Sequence, residues 1–178
     1  IYYGFDNKGI ATLDKEVKQG LIAPYDFSGI GGWDKFTTTF EAHLRDGIFN
    51  HVGAIANDSV SGMIRVFLQG AVAKALASNS SSRPNGPAPG DYKLLLAALL
   101  LYASKLAALP CHQVMTGHIS EKWVTEKAPL KDRMGKVIEY QESQRLILRL
   151  QAPETTASTL PNSFSEFYLA HPKAAHSS

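Results

Sequence analysis

The sequence predicts a mixed α and β domain whose sheet is antiparallel and covered on one side, and three patterns point there. Residues 35–45 alternate in polarity, with Phe36, Thr38, Phe40, Ala42 and Leu44 on one face and Thr37, Thr39, Glu41 and His43 on the other. Residues 50–77 change to helical spacing, and an apolar run from Leu94 to Leu109 stops at Pro110. At 178 residues, 44% hydrophobic and 19% charged, the chain is long and apolar enough for one domain with its own core.

Residues 1–34 read as an extended N-terminal arm. Tyr2, Tyr3, Phe5, Tyr25, Phe27 and Trp33 are dispersed among Gly4, Gly9, Gly20, Pro24, Gly29, Gly31 and Gly32, a mixture that favours turns and short strands. Such aromatics need a surface to pack on, their own domain or a neighbouring subunit. Residues 35–178 form the core domain, opening with the strand at 35–45. Met63, Val66, Phe67, Ala73, Leu76 and Ala77 then mark a helix within 50–77, with Gly62 and Gly70 as weak points. Residues 78–90 hold four serines, three prolines and two glycines and read as an exposed loop.

A second helix is expected over 91–109, with Asp91 as N-cap. It is apolar nearly all round, and its apolar stretch is only about 24 Å long, which makes it the central buried helix and not a membrane span. Residues 111–120 form a loop tipped by Val114 and Met115, which have no obvious core to join. Three short strands follow, around Trp123–Val124, Val137–Tyr140 and residues 145–151. In the tail, Phe164, Phe167, Tyr168 and Leu169 have helical spacing and should dock on the core.

Motifs for chemistry are sparse. The single cysteine, Cys111, excludes an intrachain disulfide and favours a reducing compartment. Cys111 and His112 are adjacent in sequence, poorly placed for a nucleophile–base pair, and with His118 they lack the paired spacing of a zinc site. Gly29, Gly31 and Gly32 do not open a helix after a strand, so a phosphate cradle is not expected there. Asn57-Asp58-Ser59 and Asn79-Ser80-Ser81 match the glycosylation pattern by chance. No cofactor, metal or catalytic residue is expected, and the chain reads as a structural protein and not an enzyme. Lys8, Asp14, Lys15 and Glu16 interrupt any apolar leader, and a start at Ile1 suggests the ordered part of a longer polypeptide.

Net charge is only +2. Between Lys122 and Arg149 seven cations (Lys122, Lys127, Lys131, Arg133, Lys136, Arg145, Arg149) face four anions (Glu126, Asp132, Glu139, Glu142), which reads as a solvated mixed surface or as a basic patch for an anionic protein or membrane. Direct nucleic-acid binding shows a stronger bias, so sequence-specific nucleic-acid binding is not expected.

The order of several segments resembles the matrix proteins of rhabdoviruses, the vesiculovirus type in particular. Tyr2-Tyr3-Gly4-Phe5-Asp6 looks like the aromatic-glycine-acid opening of those proteins, and Asp34-Lys35-Phe36 through Leu44-Arg45 is similar in spacing. Asp91-Tyr92-Lys93-Leu94 through Leu109-Pro110 looks like the family's second helix, and Lys131-Asp132-Arg133-Met134-Gly135-Lys136 is the best local match. Residues 146–150 and Ser163-Phe164-Ser165-Glu166-Phe167 fall in sequence behind it. The loop at 78–90 departs as an insertion, and the family's lysine-rich N-terminus with its budding motif is missing.

The resemblance implies an α+β fold with an antiparallel sheet packed against two or three helices. It implies a protein that self-assembles in a helical lattice between nucleocapsid and envelope, condenses the nucleocapsid and drives budding. Its partners would be further copies of itself, the viral nucleocapsid protein and the inner leaflet of a host-derived membrane. Its place would be the virion beneath the envelope and, in the cell, the cytoplasm and the cytoplasmic face of membranes. On that reading the aromatic arm of one subunit packs near the Val114–Met115 loop of the next. The rivals are an RNA-binding capsid or nucleocapsid protein and, more distantly, a small intracellular enzyme.

Overall fold

The computed structural model describes residues 1–6, 10–78 and 86–150, apart from the side chains of residues 119–123, 143 and 145–150. The expected tail helix at 164–169 lies outside the described residues, as does most of the 78–90 loop. The described chain divides into two compact units, with residues 1–118 in the first and 119–150 in the second.

The first unit is built on a parallel sheet. Strands β1 (Tyr2–Gly4), β2 (Pro24–Asp26), β3 (Ala54–Asp58) and β4 (His112–Met115) lie in the order β2-β1-β3-β4, and every neighbouring pair is parallel. This corrects the antiparallel expectation. A parallel ladder needs a crossover between strands. Here the crossovers are a 3-10 turn with the short helix α1 (Asp14–Lys18), then α2 (Gly32–Arg45), then the pair α3 (Val60–Ala77) and α4 (Pro89–Ala107).

Residues 1–34 are therefore no separate arm. β1 is an interior strand, hydrogen-bonded to β2 on one side and to β3 on the other. Tyr3, Phe5 and Phe27 are essentially inaccessible, and they meet Phe36 of α2 at ring-centroid distances of 5.6, 5.0 and 5.4 Å. Tyr2 is also buried and Tyr25 half-buried against His43, so the aromatics pack on their own domain.

Residues 35–45 are helical and not a strand. Trp33, Phe36, Phe40 and His43 recur every three or four residues, and the buried pair Phe36 and Phe40 faces the sheet through Tyr3 and α4 through Tyr102. Alternation and helical spacing coincide at Phe36 and Phe40. Burial of that one stripe decides between them. The Thr37 and Thr39 hydroxyls donate to the carbonyls of Asp34 and Lys35, so these β-branched residues satisfy themselves within the helix.

The helix expected within 50–77 begins only at Val60, because residues 54–58 are β3. Ser59 caps it, its Oγ accepting the Gly62 N–H at 3.0 Å. α4 starts at Pro89, a favoured first position, and Asp91 is its third residue, with a carboxylate that accepts the Ala88 N–H at 2.8 Å. It is also less enclosed than expected. Leu95, Leu99, Tyr102, Ala103 and Leu106 are buried along one stripe, whereas Leu94 and Leu101 are 63% and 60% exposed. α3, which packs on α2, α4 and β3, is the helix among the described residues with the length and composition to cross a membrane.

The second unit is a single hairpin, β5 (Ile119–Lys131) paired antiparallel with β6 (Val137–Leu150), where three separate strands were expected. Its turn is the Lys131–Lys136 segment. Asp132 accepts the Met134 and Lys136 N–H groups, each at 2.9 Å, and Gly135 supplies the positive φ of 82°.

Candidate functional site

The chain leaves β1 for β2 at one edge, then returns past β1 to build β3 and β4 on its other side. Strand order reverses between β1 and β3. In open parallel sheets this reversal leaves a crevice at the carboxyl ends of the strands, where ligands bind. Here that rim carries Asp6 just after β1, Asp58 and Ser59 at the end of β3, and Thr116 and His118 after β4.

The rim is held by a connected set of hydrogen bonds. Asp58 accepts from the Tyr2 hydroxyl and from the Thr116 hydroxyl. Asp6 accepts from Ser59 Oγ at 2.6 Å and from the Arg65 guanidinium at 2.5 Å, while His118 Nε2 lies 3.6 Å from it. Arg65 also donates to the Phe5 carbonyl at 3.1 Å, tying α3 to the end of β1. The β4 end is fastened by the Val60 N–H to the Thr116 carbonyl at 2.8 Å and by the His118 N–H to Ser61 Oγ at 3.1 Å. Gly62 lets the Asp6 carboxylate approach the first turn of α3, since a Cβ there would stand 2.9 Å from Asp6 Oδ2.

These contacts set the charge state. Burial opposes ionisation of Asp6, but the Ser59 hydroxyl, Arg65 and His118 together bring its carboxyl below the ordinary value. Burial, and then the bond to Asp58, push the Tyr2 hydroxyl up, so it remains a donor. Each carboxylate still has lone pairs in excess of its donors and can accept a cation or a further N–H. Among the described residues no group of three or more His, Cys, Asp or Glu side chains forms a ready metal cage.

Other residues singled out in the sequence are placed elsewhere. Val114 and Met115 sit on edge strand β4, not in a loop. Val114 pairs in register with Ala56, Met115 with Asn57, and the two side chains leave opposite faces of the sheet. Val114 is 51% exposed, while Met115 shares the face of buried Asn57. That asparagine is inaccessible and receives the Tyr102 hydroxyl at 2.7 Å, so the glycosylation pattern at 57–59 is interior. Lys127, Lys131, Arg133 and Lys136 lie on the hairpin, with Lys127 paired to Glu142 at 2.7 Å across the ladder. The side chain of Lys122 lies outside the described residues.

Sequence reasoning passed over Asp58, Ser59, Arg65 and Thr116. One signal was available: the short run Ala54-Ile55-Ala56 ending in Asn-Asp-Ser before a helical pattern, a strand that runs into an N-cap. Comparison with protein-family models, with curated proteins and with solved structures found no match for this chain.

Proposed function

We propose that the chain is the core of a nucleotide-dependent phosphoryl-transfer protein that holds a magnesium-bound phosphate at the carboxyl rim of its parallel sheet. The observation behind this reading is the placement of Asp6 and Asp58. They stand at the carboxyl ends of the two strands that flank the reversal of strand order, Asp6 just after β1 and Asp58 as the last residue of β3, and each is oriented by hydroxyl donors. Magnesium keeps most of its waters and takes one or two carboxylates plus phosphate oxygens, so it requires no preformed cage.

Asp58, steadied by Tyr2 and Thr116, is the residue assigned to the cation. Arg65 supplies positive charge and His118 a ring nitrogen that can donate a hydrogen bond to phosphate oxygens on the other side. Asp6 holds Arg65 in place and is positioned to orient a water or hydroxyl. Backbone amides that cradle phosphates come from a strand–loop–helix turn in many such sites. This reading departs from the expectation of a non-enzymatic protein, which rested on local motifs, whereas these groups come from three separate strand ends.

The test is titration of the full chain with magnesium and a non-hydrolysable nucleoside triphosphate. Wild type should bind only with magnesium present, and Asp58→Asn should weaken binding by about tenfold or more, a loss of the size expected for one charged contact. Equal binding with and without magnesium, or an Asp58→Asn variant that matches wild type, would refute the assignment.

A second reading, the self-assembling viral matrix protein, draws on one observation: an apolar side chain exposed on a free strand edge, Val114. It predicts that Val114→Ser lowers assembly into large particles several-fold by light scattering while the fold is kept. Unchanged assembly, or none in wild type, counts against it.

A further inference from the structure

The Asp6 side of the rim opens into a longer cavity. A groove of about 670 Å³ runs from Asp6, Arg65 and His118 along the outer face of α3. Its volume falls within the range of small-molecule pockets. The α3 wall is Leu68, Val72 and Leu76, which extend the stripe begun by Arg65. The span from Arg65 to Leu76 is about 16 Å at the helical rise. Ile30 and Pro87 also line the groove, so the slot is aliphatic along its length and charged at one end. Gln69 also lines the groove, and its carboxamide can donate and accept at once.

A ligand whose phosphates sit on Arg65 and His118 can extend its remaining atoms into this slot, because the same cavity wall continues from one to the other. We propose that the groove is the base-binding half of the rim site, taking the flat ring of an adenine nucleotide among Leu68, Val72 and Ile30. Gln69 reads the ring's amino edge, since glutamine forms a paired donor–acceptor contact with adenine. The proposal rests on the nucleotide reading and adds the substrate class. Polarity selects the orientation: the phosphates with their magnesium meet the polar end, where Arg65 and Asp6 are paired, and the uncharged ring meets the aliphatic walls.

The experiment compares three probes in magnesium on the full chain: ATP, GTP and inorganic tripolyphosphate. Wild type should bind ATP about ten- to a hundredfold more tightly than tripolyphosphate, the range a buried base contributes. Val72→Trp, which fills the slot without adding charge, should bring ATP affinity down to that of tripolyphosphate and leave tripolyphosphate binding unchanged. That unchanged value also shows that the variant is folded. Gln69→Ala should remove the preference for ATP over GTP. If wild type binds ATP and tripolyphosphate equally, the base lies elsewhere and the groove proposal falls while the rim reading stands. If no probe binds, both fall.

Discussion

Phe36→Ala is expected to destabilise the first unit by about 3–5 kcal/mol, the usual cost of truncating a fully buried aromatic. Phe36 is 1% exposed and sits at the centre of a ring cluster, with centroids 5.0 Å from Phe5, 5.0 Å from Tyr102, 5.4 Å from Phe27 and 5.6 Å from Tyr3. These rings come from β1 and the residue after it, from the segment after β2 and from α4, so no neighbour can close the space without moving a strand or a helix. Against a total stability of about 5–15 kcal/mol, the loss takes a large share. It should lower the thermal midpoint by on the order of 10–20 °C in scanning calorimetry. Phe5→Ala should behave likewise, because Phe5 is fully buried on the other side of the same contact. A Phe5→Ala chain as stable as wild type would mean that the N-terminal aromatics serve another surface, as the arm reading supposes.

Gly32→Ala should cost about 3 kcal/mol or more, at the upper end for overpacking. A Cβ at Gly32 would stand 1.8 Å from the Phe27 carbonyl oxygen and 2.9 Å from Val66 Cγ1. The oxygen is backbone and cannot rotate away, so relief requires moving residue 27, whose N–H is bonded to the Gly4 carbonyl at 2.8 Å. The neighbouring glycine is the control. Gly31 caps α2 with φ of 82° and has nothing within 4 Å of the added carbon, so Gly31→Ala meets only the left-handed penalty of about 1–2 kcal/mol. Urea unfolding of the two variants should rank Gly32→Ala well below Gly31→Ala in midpoint. Equal midpoints would show that α2 does not pack as closely against the end of β2 as described.

Much of the local structure was readable, and the errors have physical causes. Apolar spacing marks α3 and α4 as helices, whereas the five-residue β3 before α3 is too short to show a period of its own. Short parallel strands carry little pattern of their own: Tyr2–Gly4 and Pro24–Asp26 are three residues each. Their aromatics, scattered among glycines, look like an arm until the strands are laid side by side. Residues 35–45 satisfy both periods at once, and the alternation of polarity hides the helical stripe of Phe36, Phe40 and His43. The rim was invisible for a related reason. Asp6, Asp58 and Thr116 are separated by 52 and 58 positions in the chain, and nothing in their separate neighbourhoods marks them as partners.

The amino-acid order alone determined that this chain carries two long apolar helices and that Asp91 belongs to the first turn of the second, which ends before Pro110. These are local matters of propensity and capping, settled within a few residues. The direction of the strands, the reversal of order between β1 and β3, and the meeting of Asp6 with Arg65 and His118 were decided only by the tertiary structure. Strand partners are chosen by which faces the helices can bury together, a choice made across more than a hundred residues that no window of sequence contains.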